Sequence, residues 1–243
     1  FITPMSDSLA FTEWEPIYQA ILADFGFDRA ADERARDVAA EFAEPFDHDR
    51  LAAFDGATVA VVGAAPSLTA EIAAFDPDSV DAIVAASTAV DVLADADIAV
   101  DLMVTDLDKN TATARELTHQ GTPVAAHAHG DNMPAVREWL PQFDSQHTLV
   151  TTQAAPTDAV ANVGGFTDGD RAAFFADAFG ADELRFLGWE FDDPAVGPMK
   201  ARKLQWAEHL LYWLERRRDD RFDVLEGRRD ALTTDLTTLS TSA

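Results

Sequence analysis

Thr58-Val59-Ala60-Val61-Val62-Gly63-Ala64-Ala65-Pro66-Ser67-Leu68 sets the fold of this chain. Its first five residues carry no charge and are rich in valine, the pattern of a strand buried on both faces. A turn of small residues follows, and Ser67 opens a helix. The same alternation recurs downstream. Strands are expected at 82–85, 102–104, 123–126, 148–151 and 184–187, and helices at 88–94, 111–119, 134–140, 168–179 and 198–218. Short apolar strands alternating with helices specify an α/β fold with a doubly wound, mostly parallel Rossmann-like sheet and a long C-terminal helix.

Upstream of Thr58 the period is helical. Trp14, Ile17, Tyr18, Ile21, Leu22 and Phe25 share one apolar face, Gly26 stops that helix, and a charged helical stretch follows over 30–42. The expected organisation is an N-terminal helical segment (1–54), a Rossmann-like domain (55–220) and a C-terminal helix or tail (221–243) whose Thr/Ser-rich end frays. Phe1-Ile2-Thr3-Pro4, ahead of Met5, read as a start-site artefact outside the fold.

Composition narrows the partners. Asp and Glu number 44 against 18 Lys and Arg, a formal net charge of −26. Such a surface lacks the basic footprint that nucleic acid requires. The 47% hydrophobic content and regular apolar runs argue for a folded chain rather than an acidic disordered one. Abundant carboxylates with few lysines suit a high-salt cytoplasm, where self-repulsion is screened. No run is long enough to span a membrane, and the absence of cysteine excludes thiolate ligands and nucleophiles.

Four polar clusters follow predicted strands, the edge at which open α/β sheets bind ligands. Gly63, Pro66 and Ser67 lie in a turn whose N–H groups could hold an anion, or which is an ordinary strand-to-helix turn with Ser67 as N-cap. After 102–104, Asp106 and Asp108 would leave an extended backbone on one side, roughly 6–7 Å apart at Cα, suiting a hard cation on a phosphate-bearing ligand; a solvated acidic loop is the alternative. In His127-Ala128-His129-Gly130-Asp131-Asn132, the histidines alternate onto one side. Zinc would need more nitrogen or sulfur ligands, so Asp131 is read as a third oxygen ligand and the histidines as hydrogen-bond donors. In the segment from Asn162 to Arg171, Thr167 and Asp170 form a capping box. That box leaves Gly164 and Gly165 unexplained, and they would permit close backbone approach to a ligand.

Lys109, Lys200 and Lys203 are the only lysines. Lys200 and Lys203 occupy the first turns of the last long helix, where cations oppose the helix dipole, so an anionic ligand is the reason to keep them; a solvated pair is the alternative. Trp189 could stack on a flat ring or sit in the core.

These clusters, in this order, resemble the archaeal 6-hydroxymethyl-7,8-dihydropterin pyrophosphokinases, the MptE-like family, related in fold to thiamine pyrophosphokinases. Pro66-Ser67-Leu68, 104–108, 127–132, 162–172 and Lys200 to Leu204 carry the likeness, over roughly residues 55–215. Two positions depart from the family's usual glycines, Ala65 and Lys109. The resemblance implies transfer of diphosphate from ATP to the hydroxymethyl group of a reduced pterin. It implies Mg²⁺ on Asp106, Asp108 and Asp131, phosphate charge met by Lys200, Lys203 and Arg171, and nucleotide or pterin held by Gly63, Pro66, Ser67, His127, His129, Asn132, Asn162, Gly164, Gly165 and Asp168. Rival readings are a thiamine-type acceptor alcohol and a nucleotide-sugar-binding or glycosyl-transfer protein.

Overall fold

Six strands form one sheet in the computed structural model, which describes residues 9–239. The start-site reading of residues 1–4 and the tail's last residues, 240–243, lie outside the described residues. Helix α1 (Phe11–Phe25) and helix α2 (Arg29–Ala40) precede the sheet. Strand β1 (Thr58–Val62) leads into α3 (Leu68–Ile72), β2 (Ala82–Ala86) into α4 (Ala89–Asp95), and β3 (Leu102–Thr105) into α5 (Thr111–Gln120). Strand β4 (Val124–Ala128) is followed by α6 (Met133–Trp139), β5 (Thr148–Thr152) by α7 (Asp168–Ala178), and β6 (Glu183–Leu187) by α8 (Pro198–Arg217).

The strand order is β5-β4-β3-β2-β1-β6, and every pair is parallel. The sheet therefore grows outward from β1 in one direction, and then β6 returns to β1's other side. Right-handed crossovers send the connections of these two directions to opposite faces. Side chains alternate accordingly. Val59, Val61, Val84 and Val104 pack with α1, α7 and α8, while Ala60, Val62, Ala85 and Met103 pack beneath α2 to α6. Burial on both faces is why these strands read as unbroken apolar runs.

The N-terminal helices straddle this arrangement. Trp14 of α1 meets Phe174 of α7 edge-on at 5.8 Å, whereas Ala35, Val38 and Ala39 of α2 join the opposite core. The start of α2 lies over the C-terminal ends of β4 and β5, where Asp32 accepts from Gly130 and Gln153. Strand β4 runs two residues beyond its expected end, because β5 continues alongside it to the Ala128–Thr152 pair. His127 is consequently a buried strand residue. The tail does not fray over its described part: Phe222, Leu225 and Leu236 are buried in the core that contains α1. No helix among the described residues is long and apolar enough to cross a membrane.

Candidate functional site

Strand β3 ends at Thr105, and the chain then turns sharply. Thr105 Oγ1 accepts the Leu107 N–H at 3.1 Å, and Asp106 Oδ1 accepts the Asp108 N–H at 3.2 Å. Leu107 is buried and held at φ +62°, a region that bulky residues rarely occupy. Asp106 and Asp108 are thus brought together by a strained turn rather than by the pleat of an extended strand. Their side chains interact directly. Burial and the neighbouring Asp106 push Asp108 up to about 6. Burial opposes ionisation of Asp106 as well, but hydrogen bonds from Asp108, with His129 and Arg171 nearby, hold it below the usual carboxylate range.

Asp168 joins this pair from the first turn of α7. Burial and the charge of Asp106 push it up to about 8, even though Arg171 lies 3.1 Å from its Oδ1. Three carboxylates with one close guanidinium make a region short of positive charge. Arg171 itself is 2% exposed, donates to the Phe166 carbonyl at 3.1 Å, and keeps a buried Nε without a hydrogen-bond partner.

Asn132 ties the loops together. Its amide donates to the carbonyls of Asp106 (2.5 Å) and His127 (2.7 Å), and its Oδ1 accepts the His129 N–H at 2.9 Å. The rings of His127 and His129 stack at 6.3 Å. Burial first of all depresses the basicity of both, which favours their neutral forms. His129 Nδ1 accepts the Asp131 N–H at 3.4 Å, which leaves Nε2 as the donor facing Asp106 at 3.9 Å. His127 Nε2 is buried without a partner.

A cavity of about 210 Å³ opens beside these groups. Asp106, His127, His129, Asp131, Arg171 and Lys203 border it on the side predicted from sequence. Lys203 also lies over the Phe166 ring at 5.7 Å. The remaining wall was not anticipated. It comes from Gly26, Phe27 and Asp28 of the α1–α2 turn and Ala31 and Asp32 at the start of α2, with Gly130, Phe166 and Gln153. Asp32 is 3% exposed and accepts from Tyr18 Oη (2.8 Å), Gly130 N (2.8 Å) and Gln153 Nε2 (2.7 Å). One signal could have found it: Asp32, Ala35 and Ala39 share a helical face, so a carboxylate stands in an otherwise apolar stripe.

Several predicted residues lie elsewhere. Gly63, Pro66 and Ser67 sit at the end of β1, away from the cavity lining. The Ser67 N–H donates to Glu190 Oε1 at 3.0 Å, so the chain's own carboxylate takes the place foreseen for an anion. Ser67 makes no side-chain cap bond either. A Cβ on Gly63 would stand 2.5 Å from the Gly188 carbonyl, so its smallness serves the contact between two turns. Gly165, at φ +85°, has its close approach to the Arg171 backbone, and Gly164 to Phe174 and Leu9. Asn162 pins that loop by donating to the Ala154 carbonyl and accepting the Gly164 N–H, each at 2.8 Å. The capping interaction at α7 is present, with the Thr167 N–H on Asp170 Oδ1 at 2.8 Å.

Lys200 is exposed and outside the lining, although Lys203 is one turn away. Asp131 borders the cavity but is exposed. Among the described residues no group of three or more His, Asp or Glu side chains is placed to hold a metal, so Asp131 does not complete a three-ligand set with the pair. Trp189 donates to the Val61 carbonyl at 3.1 Å and packs edge-on against Phe186, which makes it a framework residue.

Comparison with known proteins follows the same lines. Residues 36–195 match the family model described as MptE-like 6-hydroxymethylpterin diphosphokinase. The chain is 37% identical over 227 residues to the 6-hydroxymethyl-7,8-dihydropterin pyrophosphokinase of Methanothermobacter thermautotrophicus, covering 86% of this chain and 97% of that protein. It is 35% identical over 228 residues to the enzyme of the same name from Pyrococcus furiosus, covering 85% and 95%. The corresponding protein of Methanocaldococcus jannaschii is 29% identical over 228 residues, covering 84% and 95%.

Proposed function

This chain belongs to the MptE-like 6-hydroxymethylpterin diphosphokinase family, and from that premise we propose that it transfers diphosphate from ATP to the hydroxymethyl group of 6-hydroxymethyl-7,8-dihydropterin. The acceptor oxygen attacks the β-phosphorus, the bond from that phosphorus to the α-bridging oxygen breaks, AMP departs, and the hydroxyl proton is released to water. The names of the relatives favour this acceptor over a thiamine-type alcohol or glycosyl transfer.

The observation that carries the reading is the carboxylate group at the end of β3. Asp106 and Asp108 sit against each other with Asp168 beside them, and the charges of Lys109 and Lys203 favour the ionised form of Asp108. Hard oxygen donors short of positive charge fit Mg²⁺, which commonly takes one or two carboxylates and completes its shell with phosphate oxygens and water. Asp106 and Asp108 would hold the ion. When bound, it supplies charge neutralisation along the phosphates. Lys203 contributes a cation over the Phe166 ring, Arg171 keeps Asp168 in place, and Asn132 fixes the loop that carries Asp106.

The test is AMP formation by the purified protein with ATP, Mg²⁺ and the reduced pterin. Asp106→Asn and Asp108→Asn are each expected to lower turnover by about 100-fold or more while leaving the fold intact. Near-normal turnover in both variants sinks the assignment.

A further inference from the structure

We propose that the cavity beneath the α1–α2 turn is the binding site of the acceptor's heterocycle, which gives the N-terminal helices a role in substrate recognition. The proposal rests on the activity proposed above and assigns residues that the family match does not reach. That match begins at residue 36, whereas Phe27 and Asp32 lie before it.

Two buried nitrogens of the wall lack partners. His127 is 2% exposed, and its Nδ1 lies 3.0 Å from Thr151 Oγ1. Gln153 makes a loose hydrogen-bonding approach to the same ring, but His127 Nε2 has no partner at good hydrogen-bond geometry. Arg171 is equally buried, and its Nε is likewise unpaired. An unpaired buried polar atom is costly, and both residues border the cavity, so a ligand that draws these groups toward it would relieve that cost.

Charge selects between the two substrates. Asp28, Asp32, Asp106 and Asp131 border the cavity, against Lys203 and an Arg171 already engaged by Asp168. An acid-rich enclosure repels a triphosphate and favours an uncharged ring with N–H donors. The aminopyrimidinone edge of a pterin offers such donors beside acceptors. Size agrees, since about 210 Å³ falls below the roughly 300–1,000 Å³ of pockets for larger ligands. Flat apolar surface is present as well. Phe27 stacks on Phe25 at 5.2 Å, Phe25 packs on Phe166 at 5.0 Å, and both Phe27 and Phe166 reach the cavity. Asp32 closes the far wall, holding the Gly130 backbone and the Gln153 amide. The hydroxymethyl arm then extends toward Asp106, where the phosphate chemistry is placed.

The test separates binding from chemistry. Oxidised 6-hydroxymethylpterin is titrated into wild-type protein, Phe27→Ala and His127→Phe without ATP or metal, with binding read by calorimetry and folding by thermal melting. Phe27→Ala, at a half-buried turn position, is expected to stay folded even where His127→Phe does not. It should weaken pterin binding about tenfold, the scale of losing one aromatic face. KM for the reduced pterin should rise in parallel while KM for ATP stays within about twofold. Wild-type protein that does not bind the pterin, unchanged binding in folded Phe27→Ala, or an equal rise in the KM for ATP overturns the assignment. Wild-type protein that binds the pterin, loses it on Phe27→Ala, and still forms no AMP overturns the activity while supporting the cavity.

Discussion

Asp168 places a third carboxylate beside two others, and its environment sets a stability cost that an ion would remove. Its folded value is pushed up to about 8 by burial and by Asp106, against an ordinary value of 3.8. For an acid with a raised folded value, the folded state holds the extra proton throughout the interval between the two values. Stability from this group is therefore greatest below the lower value and declines as pH rises toward about 8. In metal-free buffer near pH 8, Asp168→Asn should raise the melting midpoint, by about 2–4 °C for each kcal/mol relieved, and the gain should shrink as pH falls toward 5. A gain that is absent at pH 8, or that grows with acidity, contradicts this account. At this scale Asp106, Asp108 and Asp168 stand out in the sequence as separate polar residues, and the structure brings their carboxylates together. The strained Leu107 turn does not stand out, because a positive φ at leucine is imposed by surrounding packing rather than by its own preference.

Helix α8 shows how an element sorts residues that look equivalent. Lys200 and Lys203 lie one turn apart, yet only Lys203 borders the cavity and covers Phe166. The buried face of the helix decides this, since Lys203 lies half-buried one turn before Trp206, on the side that Trp206, Leu210 and Leu214 bury, whereas Lys200 is exposed. Lys203→Met is expected to lower kcat by about 100-fold, as loss of a cation at the junction between the ring cavity and the carboxylate pair does, whereas Lys200→Met should stay within about threefold, on the scale of a screened surface charge. Steady-state kinetics on both variants decides the matter, and equal losses would return Lys200 to the site. The β1 turn teaches the same lesson differently. Its spacing suits an anion, but Glu190, from the segment after β6, fills the position. Only the placement of β6 beside β1 makes that contact possible.

Across the whole molecule the net charge of −26 must be reconciled with a core shared by distant segments. The few cations are concentrated where they close the structure: Arg218 meets Asp177 at 2.8 Å, and Arg229 meets the buried Glu215 at 2.6 Å while donating to the Phe222 carbonyl. These contacts fasten the tail beneath which Leu225 and Leu236 are buried. The remaining carboxylates repel one another, and raising salt from 0.1 M to about 1 M shortens the screening length from about 10 Å to about 3 Å. Thermal midpoints should therefore rise with KCl by more than with an uncharged osmolyte of equal osmolality. A flat or falling response would mean that the ion pairs, not the self-repulsion, dominate.

The strand–helix alternation was written in the sequence because it depends on local apolar runs and their period, and so were the acidic pair after β3 and the histidine string at the end of β4. Tertiary structure alone joined residues 27 and 32 to 106, 127, 153, 171 and 203. That assembly depends on how the α1–α2 pair crosses from one face of the sheet to the other, a matter of long-range packing that no neighbouring residues encode.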